Sequence, residues 1–325
     1  MNFTKAYPLI FIICFCMIPY LCNGVGQQQK TEKQTQSKED FTVTLLRTES
    51  NKVEKIPLKE YLCGVVSAEM QANFEGEALK AQAVAACTYT LYRYEYLKKY
   101  PNAENGHPEA YVCDDHTHCK SYLSASEAKK RWGADWYDKY YGNIQSAVDQ
   151  VYGQVITYEG EIINAVFHAI SSGRTESAES VWGTPVPYLV SVDSSVDTAV
   201  AGYETTVSFT FEEAKRRLEE LGVTVGDDPQ TWFEPPLLGS AGSVESVTVG
   251  GKAIKGTELR KAFELRSTAF AIAVGNDNIT FTVHGYGHQV GMSQNGANEL
   301  AKDGKTYTEI LQHYYSGVKI QNYNF

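Results

Sequence analysis

Helical stretches and antiparallel hairpin signals occupy separate blocks of this chain, and that segregation constrains its fold more than any other feature. Residues 41–47 (FTVTLLR) alternate like a strand. Pro57 then opens a helical stretch over 58–70, and a longer, Ala-rich one covers about 75–100. Helical character returns at 126–140 and 146–152. Hairpins are predicted at 155–158 with 162–169 around Glu159-Gly160, at 244–249 with 253–254 around Gly250-Gly251, and at 270–274 with 279–283 around Asn276-Asp277-Asn278. One helix falls within 208–221, and a Gly-rich loop, 284–296, leads into a final helical region. A doubly wound parallel sheet needs strands and helices in alternation. This order instead predicts an α+β fold, with N-terminal helical elements followed by antiparallel hairpins.

The first forty residues read differently. Lys5 precedes the uncharged apolar run 6–22, short for a spanning helix and long for the core of a signal peptide. No small-residue cleavage site follows it. Residues 1–25 are therefore expected to be a retained signal-anchor, with a cleaved signal as the alternative; both leave the rest of the chain outside the cytoplasm. Residues 26–40 are polar, low in complexity and suited to a flexible tether. The expected organisation is an anchor in the cell membrane, a tether, and one catalytic domain over 41–325 with room for a smaller subdomain at about 203–265. A net charge of -10 argues against a nucleic-acid partner. Of the seven cysteines, three lie in the anchor; Cys63, Cys87, Cys113 and Cys119 are too few to build a disulfide scaffold. The 22 tyrosines and four tryptophans suit either sugar-stacking platforms or an ordinary core.

Five groups of residues carry chemistry. Glu69 follows Leu62 and Val65 at helical spacing and so belongs to the apolar stripe of its helix, where desolvation raises a carboxyl pKa; the competing reading is an outward-pointing Glu at a helix end. On the next helix Lys80 and Cys87 share a face. His107, Cys113, His116, His118 and Cys119 crowd within thirteen residues, a supply suited to tetrahedral zinc or, alternatively, to a Cys113–Cys119 disulfide. The loop from His284 to Gln294 and the segment from His168 to Glu176 each place small and polar residues after a strand. The two histidines of that loop, His284 and His288, suggest metal or acid–base work, against a structural turn. No G-x-S-x-G elbow accompanies the serines, so a serine hydrolase is not expected.

Blocks at 58–93, 166–193, 265–270, 285–297 and 307–317, in that order, resemble the stage II sporulation protein D family and its amidase-enhancer relatives. The resemblance implies a lytic transglycosylase that cuts peptidoglycan glycan strands, preferring strands stripped of stem peptides, during engulfment in sporulation. Its relatives imply an alternative, a non-catalytic glycan-binding enhancer of an amidase. The family's acid falls on Glu69, and Lys80, His168, Ser171, Ser172, Glu176, Tyr286, His288, Ser293 and Gln294 match groove residues. A structural zinc would fall on His107, Cys113, His118 and Cys119, leaving His116 aside. A wall amidase or endopeptidase and a membrane protein are the implied partners. Three positions depart from the family pattern: Cys87 where arginine is common, Gln289 where glycine is usual, and Asn295 where tyrosine is frequent.

Overall fold

A short antiparallel hairpin delivers the chain to its first helix: Thr42–Arg47 pairs with Lys52–Pro57, Thr42 facing Pro57. Pro57 has no N–H to lose at a helix start, and α1 (Leu58–Glu69) follows at once with Glu60 in its first turn. This computed structural model describes residues 41–103, 106–107 and 109–325; the predicted anchor and tether lie outside them. Among the described residues no helix is long and apolar enough to cross a membrane.

α1 buries Leu58, Tyr61, Leu62, Val65 and Val66, and ends where Met70 turns to extended backbone. α2 (Gly76–Lys99) is buried almost continuously from Ala78 to Leu91. Its alanines let α1, the later helices Ala134–Val151, Gln294–Lys302 and Tyr307–Tyr314, and the strand Gln154–Tyr158 approach closely. The predicted break at 140–146 does not occur. A capping box of Ser124 and Glu127 starts α3 (Ala125–Trp132), Gly133 in a left-handed conformation ends it, and α4 (Ala134–Val151) runs through to the strand beyond.

Gln154–Tyr158 lies between Glu161–Ile162 and Lys319–Asn322, both antiparallel to it. The sequence extends this hairpin to 169, but the chain leaves after Ile162. Phe167–His168 pairs in parallel with Met292–Ser293 instead, because the Gly-rich loop returns beside it. A second parallel pairing joins Thr42–Arg47 to Val112–Cys113. The remaining sheets are antiparallel, so the α+β architecture stands with two short parallel exceptions.

Beyond α5 (Ala178–Trp182), Glu204–Thr210 pairs with Asn278–His284, itself paired with Phe270–Val274. Val244–Val249 pairs with Lys252–Lys255 and Leu237–Leu238. With α6 (Phe211–Glu220) and α7 (Gly256–Ala262) these strands enclose a second apolar core centred on Phe263, Phe281 and Trp232. The larger core gathers around α1 and α2 and takes in Ile310, Leu311, Tyr314 and Tyr315. α8 (Gln294–Lys302), capped by Ser293, and α9 (Tyr307–Tyr314) complete it. The described chain forms one compact unit.

Candidate active site

Glu69 is the last residue of α1, half-buried, where the apolar stripe of the helix runs out. Its Oε1 accepts the Ser121 backbone N–H at 2.9 Å and its Oε2 accepts the Gln294 side-chain amide at 3.2 Å. Three distant segments therefore converge on one carboxyl. Beside it Lys120, almost fully buried, holds its ammonium 3.7 Å from the centre of the Phe167 ring and 4.9 Å from that of Tyr89. Burial pushes the Lys120 ammonium down to about 8, against the opposing pull of Glu69. On the open side, a depression of about 400 Å³ runs from Ser67–Ala72 to Arg131, Trp132 and Trp136. Trp136 is 40% exposed, and Glu69 is the one carboxylate lining the depression.

The two loops that the sequence singles out separately form a single platform. Bridges tie Ile170 to Tyr286 and Glu176 to Val290, extending the pairing of Phe167–His168 with Met292–Ser293. Glycine is needed for this approach: a Cβ on Gly291, where φ is +72°, would stand 2.2 Å from the Val166 carbonyl oxygen. His168 is buried and its Nδ1 donates to the Val290 carbonyl at 3.2 Å. Burial, with Lys120 nearby, pushes its pKa down to about 4. The His288 ring centre lies 5.7 Å away; its Nδ1 accepts the Val290 N–H at 3.1 Å, and burial together with His168 holds it well below the ordinary imidazole range. Both rings are neutral at neutral pH. The two histidines of the Gly-rich motif do not converge, however. His284 turns outward to Glu204, 3.0 Å away, so the motif is not a metal pair. Tyr286 is exposed beneath the Arg266 guanidinium, 4.2 Å from its ring centre.

Behind the platform lies a polar network that sequence reasoning missed. Asp197 is fully buried and accepts from Ser194 Oγ at 2.7 Å, Ser171 N at 3.2 Å and Ser293 Oγ at 2.9 Å. Burial raises its carboxyl to about 6, and the serine hydroxyls oppose the rise. Gln289, which the sequence marks only as a departure from the family pattern, is the second element. It adopts φ +69°, the left-handed region natural to glycine. Its amide compensates: Oε1 accepts from Ser172 N at 2.7 Å and Nε2 donates to the Ile170 carbonyl at 3.1 Å. His168 Nε2, the Ser171 and Ser172 hydroxyls and both Glu176 carboxyl oxygens are buried without a hydrogen-bond partner in the structure.

Two expected residues sit apart. The Lys80 ammonium pairs with Glu77 and lies 5.3 Å from the Tyr307 ring centre, and no contact joins it to Glu69 among the described residues. Cys87 is buried beside Gly153, with its thiol pushed up to about 12 by burial. It therefore faces the core and not the depression.

The Cys/His cluster is compact. Cys113 and Cys119 are free thiols, which removes the disulfide alternative. The ligand atoms of His107, Cys113, His118 and Cys119 lie within 4.8 Å of one another, and His116 is not among them. His107 Nε2 is 3.3 Å from Cys119 Sγ, and His118 Nδ1 is 3.4 Å from Cys119 Sγ and 3.5 Å from Cys113 Sγ. These separations suit four atoms bonded to one ion at about 2.0–2.3 Å. The other nitrogen of His107 meets the Ala110 carbonyl at 3.0 Å, which aims Nε2 at the centre of the cluster. Cys119 leads directly into Lys120 and Ser121, so the cluster anchors the strand of chain that donates to Glu69.

Comparison with known proteins finds relatives over most of the chain. A family model for stage II sporulation protein matches residues 47–158. Stage II sporulation protein D of Bacillus subtilis (strain 168) is 36% identical over 286 residues, covering 86% of this chain and 78% of that protein. Its counterpart in Bacillus amyloliquefaciens is 37% identical over 295 residues, covering 90% and 83%. An amidase enhancer of Bacillus subtilis (strain 168) is 26% identical over 320 residues, covering 81% of this chain but 40% of that protein.

Proposed function

The chain belongs to the stage II sporulation protein D family, and on that premise we propose that it acts on the cell wall in sporulation as a lytic transglycosylase. Its substrate is the glycan strand of peptidoglycan, preferably stripped of stem peptides, and its product ends in 1,6-anhydro-N-acetylmuramic acid. One observation carries the reading: Glu69 is a lone carboxyl on the wall of an aromatic depression. Glycosidases that activate water ordinarily need two carboxylates at a set separation. A transglycosylase needs one, because its nucleophile is the 6-hydroxyl of the substrate's own muramoyl residue, already close to the reacting carbon.

In this reading Trp132 and Trp136 support sugar faces, and Arg131 meets the lactyl carboxylate exposed when a stem peptide is removed. A strand lying across the depression excludes water from Glu69. The Glu69 carboxyl then protonates the departing glycosidic oxygen. The resulting carboxylate takes the proton of the 6-hydroxyl as that oxygen closes on C1. Ser121 N and Gln294 hold the two carboxyl oxygens in place throughout. His168 and His288, both neutral, shape and dry the adjoining platform.

A structural zinc ion on His107, Cys113, His118 and Cys119 fits the same scheme. Four protein ligands leave no position for a reactive water, so its contribution is to hold residues 119–121 against Glu69. The preference for stripped strands calls for an amidase or endopeptidase acting upstream. The apolar N-terminal run supports a single-pass membrane location with the catalytic domain outside, near a membrane partner of the engulfment machinery. The likeness to an amidase enhancer supports a second reading, a glycan-binding partner that stimulates an amidase without cutting. Full-length protein and its Glu69→Gln variant, incubated with amidase-stripped peptidoglycan and, separately, with intact peptidoglycan plus an amidase, separate the two. Release of soluble glycan by the wild type alone supports catalysis. Equal release, or equal amidase stimulation with no release by either, contradicts it.

A further inference from the structure

Toward the C-terminal end of α2, about 18–30 Å along the helix axis from Lys80 at 1.5 Å per residue, lies a larger groove that the reaction above does not use. It encloses about 730 Å³ between the last three turns of α2, the Gly160–Ile162 turn and residues 321–324. Tyr92, Tyr96 and Tyr100 line one wall at successive helical turns, their ring centres 6.3 Å and 5.1 Å apart. Tyr96 is 38% exposed and Tyr100 48% exposed. Single exposed aromatics are ordinary, but three in contact along one face make a continuous apolar strip that an ordinary surface does not keep open. Lys98 and Lys99 flank the strip, and Lys99 stands 5.5 Å from the Tyr100 ring centre. In a chain of net charge -10 these two lysines stand against Glu95 and Glu161 in the same lining, so the groove is locally balanced in charge. The Glu95 carboxylate is engaged by the Tyr323 hydroxyl, while Gln321, Asn322 and Asn324 offer amides across the groove.

We infer that this groove is a second, non-catalytic binding site for peptidoglycan glycan bearing free lactyl carboxylates. The pairing follows from chemistry. Pyranose rings have apolar C–H faces that pack on aromatic rings, hydroxyls and N-acetyl groups that match side-chain amides, and, once stem peptides are removed, carboxylates that match lysines. Glu161 on the opposite rim repels those carboxylates and so orients the strand with its acidic side toward Lys98 and Lys99. A strand held here and at Glu69 is gripped at two points, which raises its effective concentration at the depression and favours long strands over short ones. The inference rests on the proposed action on glycan strands.

The test uses full-length protein carrying Glu69→Gln, so that binding is read without cleavage, and insoluble glycan stripped of stem peptides. Tyr96→Ser with Tyr100→Ser, and separately Lys98→Glu with Lys99→Glu, should each weaken sedimentation with the glycan about tenfold, the size expected for losing an interfacial aromatic or charge anchor. Blocking the carboxylates of the glycan as amides should abolish the difference made by the lysine pair but not that made by the tyrosine pair. With Glu69 intact, both double variants should cleave a short soluble oligosaccharide at the wild-type rate. Unchanged sedimentation, or an equal loss on the short substrate, overturns the second site. Should the Glu69→Gln protein sediment as expected while the wild type cuts nothing, the transglycosylase reading fails and the groove stands. If the wild type cuts but the tyrosine variants sediment normally, the groove alone falls.

Discussion

Gln289 offers a sharp test of how the platform is held together, because its two effects oppose each other. Left-handed backbone costs a non-glycine residue about 1–2 kcal/mol, and Gln289 sits at φ +69°. Changing it to glycine releases that cost. The same change removes a buried amide that bonds Ser172 N and the Ile170 carbonyl. The Ile170 oxygen keeps the Tyr286 N–H at 2.7 Å, so its loss is small. Ser172 N is left without a partner, at about 1–3 kcal/mol, and glycine adds about 0.5–1 kcal/mol of backbone entropy to folding. The space vacated by the side chain adds to the loss. The net expectation for Gln289→Gly is a destabilisation of about 1–2 kcal/mol, and Gln289→Ala, which keeps the strain and loses the bonds, should be worse by about 1 kcal/mol. In a domain of this size that is a fall in Tm of roughly 2–8 °C, ordered wild type, then glycine, then alanine. Thermal unfolding followed by circular dichroism at neutral pH reads it directly. A glycine variant as stable as the wild type would refute the claim that the amide clamps the Ile170–Ser172 turn. An alanine variant more stable than glycine would refute the strain.

Other expectations follow from the same geometry. Asp197 has a folded pKa of about 6 against 3.8 for an ordinary aspartate carboxyl, so its neutral form is favoured on folding. Its contribution is full below about pH 4, is lost as pH rises through about 6, and amounts to about 3 kcal/mol at most. Urea unfolding should accordingly show Asp197→Asn gaining on the wild type between about pH 4 and pH 7; a gap that widens against the variant over that range contradicts the assignment. Cys119→Ser should lower Tm and glycan cleavage together, and a chelator should do the same to the wild type while adding nothing to the variant. Chelation that stops cleavage with the fold unchanged would contradict a structural metal. Trp136→Ala should raise KM several-fold with kcat nearly constant, since it removes uniform binding; a fall in kcat alone would place the indole in the chemistry instead.

Much of the fold was legible because strong local signals agreed with the tertiary context. Pro57 before an apolar helical stripe, the alanines of α2 and the Gly250-Gly251 turn each specify their element locally. The failures have physical causes. Lys52–Pro57 carries three charged residues in six and shows no alternation, yet forms a strand because Thr42–Arg47 supplies a complete antiparallel partner. Phe167–His168 was read into the wrong hairpin because its true partner lies more than a hundred residues away, in a loop that glycines allow to approach. The site divides in the same way. Glu69 and the Cys/His spacing were visible in a line of text, whereas the left-handed conformation of Gln289 was not. Lys120 was visible only as the residue after Cys119. Asp197 and the indoles of Trp132 and Trp136 become meaningful only once α3, α4 and α8 bring them to the groove and its supports. Lys80, matched through the resemblance, lies against Tyr307 and Glu77 in the fold, a neighbourhood that the spacing of its own helix does not specify.

The central claim is that Glu69 drives an internal attack by the substrate's own hydroxyl, with no water entering the product. Cleavage of stripped glycan in water enriched in heavy oxygen, followed by mass spectrometry of the new chain ends, tests it most directly. The wild type should yield 1,6-anhydro ends that carry no label, and Glu69→Gln should yield neither these nor any other new ends. Labelled reducing ends from the wild type, or unlabelled anhydro ends persisting in Glu69→Gln, would contradict it.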